Sequence, residues 1–273
     1  MKTVLEVIQS TTDYFQKRGV ESPRLNIEHL LAHALGKRRM DLYMEFDRPL
    51  SEGELEPLRE LVRRRGEGEP LQHLLGTVEF LGHTLRCDAR ALVPRHETEE
   101  LCERILKAGP ARRVVDVGTG SGAIALALAA TWPEAEVIGV DLSPDALALA
   151  RENAALLKSR VQFAESDLLA ALDGTFDLIV ANLPYIPSCD IPALAREVRR
   201  DPHLALDGGA DGLRLIERLA DDAPRVLRGR LALEISEGQG EAVAALLGAR
   251  NFQDIHVEAD YQGRQRFVFA NYG

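Results

Sequence analysis

The stretch "ANLPYIP", residues 181–187, puts a side-chain amide next to a constrained, aromatic turn. Asn182 closes the apolar run "FDLIVA", and Leu183, Pro184 and Tyr185 follow it directly. An apolar strand that ends on Asn in a parallel sheet delivers one acceptor and two donors to the crevice beyond the strand ends. That set suits group transfer to a poor nitrogen nucleophile, an amide or exocyclic –NH2 whose lone pair is delocalised. The Asn182 side-chain oxygen and the Leu183 backbone carbonyl can together hold both N–H bonds. The lone pair is then aimed at an electrophilic carbon, which is catalysis by orientation with modest charge stabilisation. Pro184 stiffens the loop, and Tyr185 supplies a flat wall for a planar group. A strand that merely stops in a turn would show the same letters, so this reading requires a cofactor site beside it.

Such a site is written upstream in "DVGTGSG", residues 116–122. Gly118, Gly120 and Gly122 permit a sharp turn and a close ligand approach, with Thr119 and Ser121 between them. A second strand ends at Asp141, where a carboxylate accepts from ribose hydroxyls, and Leu142 follows it. The spacing is G-x-G-x-G rather than the G-x-G-x-x-G that receives a pyrophosphate. Asp116, two residues before the first Gly, would repel phosphate and can hold a cationic amino-acid end. S-adenosylmethionine has both that cation and a ribose. Asp167, after Ser166 and before Leu168, falls where an adenine edge would lie. The expected cofactor set is therefore Asp116, Gly118, Thr119, Gly120, Ser121, Gly122, Asp141, Leu142, Asp167, Leu168 and Asn182. The expected catalytic set is Asn182, Leu183, Pro184 and Tyr185.

The elements that must position these residues are a parallel sheet and its helices. From about residue 112 strands alternate with helices: 113–118, 135–141, "VQFAESD", "FDLIVAN" and 229–236 read as strands covered on both faces. "FQDIHVEAD" and "RQRFVFANY" lie close together without a helix between them and read as an antiparallel edge pair. Residues 1–75 read as a small helical domain. Its first helix carries Val4, Ile8 and Phe15 on one stripe, its second opens with Ser22 as N-cap and Pro23, and its third has Ser51 and Glu54 spaced as a capping box. Residues 76–92 form a hairpin linker, with period two over 77–88, and 93–273 form the α/β domain.

Composition narrows the class further. The chain has 273 residues, 45% hydrophobic and 28% charged, with a formal charge of −10. Net acidity argues against a surface that grips a phosphate backbone, so no direct nucleic-acid binding is expected. "RRR" at 63–65 reads as a solvated helix face. The longest apolar run, 123–130, is far too short to cross a bilayer, and no signal peptide is legible. Cys87, Cys102 and Cys189 have no CxxC spacing, which fits reduced thiols in the cytoplasm and no structural zinc. His29 and His33 stand i, i+4 without a third ligand and read as ordinary helix residues, and Cys189 lacks an activating base. No metal is expected. Glu97, Thr98 and Glu99 in "PRHETEE" suit the cofactor pocket and an acidic helix N-terminus equally well.

These motifs resemble the class I S-adenosylmethionine-dependent methyltransferases that carry [N/D]-P-P-Y, and among them the release-factor glutamine methyltransferases. The resemblance runs over nearly the whole chain: "GEPLQHLLGTVEFLG" (68–82), "LVPRHETEELCE" (92–103), "VVDVGTGSGAIALALA" (114–129), "ANLPYIP" and "DPHLALDGGADGL" (201–213). It implies a Rossmann-like class I sheet of seven strands with an antiparallel edge pair, behind an N-terminal helical domain that engages a protein substrate. The implied reaction is methyl transfer to the side-chain N5 of the Gln in the Gly-Gly-Gln motif of peptide chain release factors. Three positions depart from the family pattern: Leu183 and His96 stand where Pro is usual, and Asp201 stands where Glu is usual. N-L-P-Y is typical of rRNA adenine N6-dimethyltransferases, but there the glycine loop lies near the N-terminus and the helical domain follows. The same motifs also suit a glutamine methyltransferase of a ribosomal protein, or a non-catalytic S-adenosylmethionine-binding protein.

Overall fold

The structure, a computed structural model, describes residues 2–273. It divides into two units, the first comprising the chain up to Thr77 with Ala195–Arg200, the second comprising Val78–Leu194 and Asp201–Gly273.

The first unit is helical, with α1 (Val4–Lys17), α2 (Pro23–Ala34), α3 (Glu52–Gly66) and α4 (Leu71–Leu75). Val4, Val7, Ile8 and Phe15 of α1 pack with Ile27, Leu30 and Leu31 of α2 and Leu58 of α3 in one core. α1 starts with a reciprocal cap in which Thr3 Oγ1 accepts from the Glu6 N–H at 3.3 Å and Glu6 accepts from the Thr3 N–H at 2.9 Å. Ser51 donates its N–H and its hydroxyl to Glu54, both at 2.8 Å. Ser22 differs from expectation: it stands before α2 at φ 46° with no side-chain cap, and Asn26 Nδ2 binds the Glu21 and Ser22 carbonyls instead. "RRR" is a solvated face only in part. Arg63 pairs with Glu60 and Glu67 on the surface, whereas Arg65 is buried, donates to Asn26 Oδ1 at 2.6 Å and pairs with Glu197.

The second unit opens with the expected hairpin, β1 (Thr77–Phe80) and β2 (His83–Arg86). Then follow α5 (His96–Lys107), β3 (Arg113–Val117), α6 (Ala123–Thr131), β4 (Glu136–Asp141), α7 (Pro144–Leu157), β5 (Gln162–Glu165), β6 (Phe176–Ala181), β7 (Ile186–Pro187), β8 (Asp207–Gly209), α8 (Arg214–Val226), β9 (Leu227–Glu234), α9 (Gly240–Gly248), β10 (Gln253–Ala259) and β11 (Gln265–Tyr272). The seven-stranded sheet has the order β10-β11-β9-β6-β3-β4-β5. β9, β6, β3, β4 and β5 are parallel neighbours, and β11 runs antiparallel to both β9 and β10. The expected antiparallel pair is present, with β10 as the edge. Strand alternation sorts the core: Val115, Val117, Ile179 and Leu233 face α8 and α9, while Val114, Leu178, Val180 and Ala232 face α5 and α6. From β3 the chain winds outward through β4 and β5, then returns to β6 on the other side of β3. The switch point opens a crevice at the carboxyl ends of β3 and β6. Cys87 and Cys102 are buried thiols and Cys189 an exposed one. Among the described residues no helix is long and apolar enough to cross a membrane.

Candidate functional site

At the strand ends lies a cavity of about 350 Å³, within the usual range for small-ligand pockets. Its lining includes Gly118 and Gly120 after β3, Asp141 and Leu142 after β4, Ser166, Asp167 and Leu168 after β5, and Leu183 and Pro184 after β6. Eight of the expected site residues thus meet in one cavity although they come from four separate strands. Asp116, Thr119, Ser121, Gly122, Asn182 and Tyr185 are outside the lining, and each has another engagement.

Asp116 sits on the face of β3 that α5 and α6 cover, and it is fully buried. Its Oδ2 accepts from Thr119 Oγ1 at 2.6 Å and from the Ala125 N–H at 3.2 Å, which ties the glycine loop to the first turn of α6. Its Oδ1 has no partner among the described residues. Burial pushes the carboxyl up to about 7, although both of those donors favour its charged form. Gly122 at φ +83° is the N-cap of α6, and Asn153 of α7 donates to the Ser121 carbonyl at 3.0 Å. Asp141 holds the other side of the loop, accepting the Gly120 N–H and the Ser143 N–H at 2.9 Å each. Its carboxyl is raised by burial and drawn back by those backbone donors. Asp167 pairs with Arg218 at 2.8 Å, at the rim. An apolar-lined pocket with Leu142 and Leu168 in its wall, a carboxylate fixed by backbone at Asp141, and bare glycine backbone at 118 and 120 fit an adenosyl cofactor.

The Asn182 loop is held at several points. Asn182 Nδ2 donates to Thr98 Oγ1 at 3.0 Å, and Thr98 Oγ1 donates to Glu234 Oε2 at 2.7 Å. The Tyr185 hydroxyl donates to Glu234 Oε1 at 3.2 Å, and Gln239 Nε2 donates to the Tyr185 carbonyl at 3.1 Å. Ile186 pairs with Asp207, and the Ser188 N–H reaches the Gly209 carbonyl at 2.8 Å, so the β7 and β8 segments run side by side. Burial pushes Glu234 up to about 7 and raises the Tyr185 phenol above its ordinary range. Leu183 turns its side chain into the sheet core, where Cδ2 lies 3.1 Å from the position a Cβ would take on Gly118. This accounts for an apolar residue where Pro is usual: the side chain fills core space while the backbone carbonyl is retained.

Of "HETEE", Thr98 hydrogen-bonds the Asn182 loop. Glu99 accepts from the Leu81 N–H at 2.6 Å and from His96 at 2.8 Å, so it ties α5 to the hairpin; neither it nor Glu97 lines the cavity. His96 is 95% exposed and forms no pocket wall. Asp201 is buried and pairs with Arg95 at 2.8 Å. Sequence reasoning missed Glu234 and Gln239. The signal for Glu234 was available: "LALEIS" is another apolar strand closed by a polar residue.

The family profile described as PrmC N-terminal domain matches residues 6–76, and one described as methyltransferase domain matches 114–201. The release factor glutamine methyltransferase of Geobacter sulfurreducens is 44% identical, covering 99% of this chain and 97% of its own. That of Deinococcus radiodurans is 43% identical, covering 97% of each. Among solved structures, a methyltransferase from Pyrococcus furiosus superposes with a TM-score of 0.56 at 16% identity, covering 71% of this chain and 90% of that one. The T. thermophilus 16S rRNA N2 G1207 methyltransferase, in complex with AdoMet and guanosine, superposes at 0.54 and 21%, covering 72% and 50%. These two likenesses concern the fold alone, but the sequence matches span nearly the whole length, and on them the chain belongs to the release factor glutamine methyltransferase family of S-adenosylmethionine-dependent enzymes.

Proposed function

We propose that this enzyme transfers a methyl group from S-adenosylmethionine to the side-chain amide nitrogen of a release-factor glutamine, the Gln of the Gly-Gly-Gln motif, with Asn182 orienting that amide. The observation that carries this reading is the 3.0 Å bond from Asn182 Nδ2 to Thr98 Oγ1, on a loop whose next two residues line the cofactor-sized cavity. With its NH2 committed to Thr98, Asn182 offers its oxygen as an acceptor. The Leu183 carbonyl is the second acceptor, so the two N–H bonds of an incoming –NH2 are both held and its lone pair is directed across the plane. Pro184 and Tyr185 frame the amide.

When bound, S-adenosylmethionine supplies an electrophilic methyl on a sulfonium that departs as a neutral thioether. The new bond is N–CH3, the S–CH3 electron pair stays on sulfur, and the nitrogen loses one proton to solvent water; no acid is needed for the leaving group. Asp141 would hold the ribose hydroxyls, Leu142, Leu168 and Asp167 would hold the adenine, and the backbone at 118–120 would hold the methionine portion. Asp116, with Thr119, Ser121 and Gly122, fixes the loop, and its unpaired Oδ1 is suited to the ammonium end. The helical unit (1–75 by sequence) engages the protein substrate, the hairpin at 76–92 links it to the transferase domain at 93–273, and a release factor as substrate places the enzyme in the cytoplasm without direct nucleic-acid contact.

The test is methyl transfer from labelled S-adenosylmethionine to purified release factor and to a release factor whose Gly-Gly-Gln glutamine is replaced. An Asn182→Ala enzyme, unmodified ribosomal proteins and unmodified small-subunit rRNA complete the set. Label on the release factor that vanishes with either substitution is expected. Label only on rRNA or on a ribosomal protein overturns the substrate, and cofactor binding with no label anywhere overturns catalysis.

A further inference from the structure

Resting on the reading of Asn182 above, we infer that Glu234 is a positioning residue that dictates which end of the Asn182 amide meets the substrate, acting through the Thr98 hydroxyl. Glu234 closes β9, the neighbour of β6, with Leu233 in register with Ala181, so it stands beside the start of the Asn182 loop. It is buried, and an ionised carboxylate can only accept hydrogen bonds. A threonine hydroxyl has one proton. At 2.7 Å from Glu234 Oε2, Thr98 spends that proton on the carboxylate, so toward Asn182 its oxygen can only accept. The Asn182 NH2 must therefore face Thr98, because the flipped amide would set two acceptors against each other with no proton between them. The second carboxylate oxygen is used the same way by the Tyr185 hydroxyl at 3.2 Å. One buried charge thus sets the polarity of two groups of the motif loop. The outcome is an oxygen presented to a substrate that donates, an –NH2, and against one that accepts.

Protonation would give Glu234 a donor and release this constraint. The groups that face it are Glu97 and Cys102 from α5, Tyr185 from the motif loop and Arg266 from β11. Glu234→Gln keeps the shape and adds the donor, so it is a permanent mimic of the protonated form.

The experiment compares wild type, Glu234→Gln, Thr98→Val, Thr98→Ser and the Glu234→Gln/Thr98→Val double variant. It measures kcat and KM with release factor, the S-adenosylmethionine Kd by calorimetry, and kcat against pH. The two disabling single variants are expected to lower kcat about ten- to a hundredfold with the cofactor Kd unchanged, the range for a misplaced reacting group. Thr98→Ser, which keeps the hydroxyl, should restore most of the rate. The double variant should fall no lower than Thr98→Val, since both substitutions break one relay. Wild-type kcat should rise with pH through a limb near neutrality that Glu234→Gln lacks. Wild-type kcat in Glu234→Gln, additive losses in the double variant, or a cofactor Kd that weakens in step with kcat would each overturn the inference. If Glu234→Gln does not fold, equal rates for Thr98→Val and Thr98→Ser overturn it. A wild-type enzyme that labels no release factor fails the parent reading instead, so the two failures are distinguishable.

Discussion

Gly212 stands against the backbone of Tyr185. Its φ is +78°, and a Cβ built on it would fall onto the Tyr185 carbonyl oxygen with Gln239 Nε2 only 2.7 Å away. The glycines of "DGGADGL" therefore leave room for the motif loop, 54 residues of chain separating Tyr185 from the Gln239 that also holds it. Gly212→Ala meets both a left-handed backbone and occupied space. It should cost about 1–3 kcal/mol of stability, the range for one strained position, and lower kcat more than it changes cofactor affinity. Urea unfolding alongside methyl-transfer kinetics checks this; an unchanged kcat in a folded variant would mean that the loop tolerates displacement.

Asp141 accepts two backbone N–H groups and lines the cavity. Asp141→Asn keeps its size but turns one end from acceptor to donor against those same N–H groups. The ribose hydroxyls lose a charged acceptor worth about 1.5–3 kcal/mol, so cofactor Kd should weaken roughly ten- to a hundredfold. Calorimetric titration with S-adenosylmethionine reads this directly, and an unaltered Kd would remove Asp141 from the cofactor set.

Stability should depend on pH through Asp116. Burial raises its folded-state value to about 7 from an ordinary value near 3.8. A raised carboxyl contributes stability that is present below the unfolded value and lost as pH climbs through the folded one. The second unit should therefore lose stability between about pH 4 and pH 7 through this group. Asp116→Asn keeps acceptors for Thr119 and the Ala125 N–H and should flatten that slope. Denaturant midpoints measured for both proteins at pH 5.5 and pH 8 decide it: parallel slopes would show that Asp116 is ionised throughout.

Arg65 is a buried cation of the helical unit. It is buried, donates to Asn26 Oδ1 at 2.6 Å and to the Glu69 carbonyl at 3.0 Å, and pairs with Glu197. Arg65→Ala removes all of these at once. Because Glu197 is partly exposed and can be rehydrated, the loss should be about 2–3 kcal/mol rather than the full cost of a stranded buried charge. Hydrogen exchange in α2 and α3 should accelerate while the glycine-loop amides keep their protection. Equal acceleration in both regions would contradict an effect local to this unit.

The sequence by itself determined which residue types stand at the strand ends. Asn182, Asp141 and the glycines at 118, 120 and 122 are legible because strand and helix periods place them at carboxyl ends, and that position follows from linear spacing alone. Leu183 was legible as a departure, but not its use as core filler, which depends on the space beside Gly118. Ser22 and Arg65 read as an N-cap and a solvated face, because local pattern does not reveal that Asn26 donates to the Glu21 and Ser22 carbonyls and accepts from Arg65. The amphipathic α8 went unread beside the stronger strand signals. Tertiary structure alone decided the polar relay. Thr98 and Glu234 are 136 residues apart, and their 2.7 Å contact exists because α5 packs on the same sheet face that carries Asp116. No local rule links a helix N-terminus to the end of a strand that far downstream. Their bond depends on burial, which removes water as the competing partner and leaves each polar atom to find its partner in the protein.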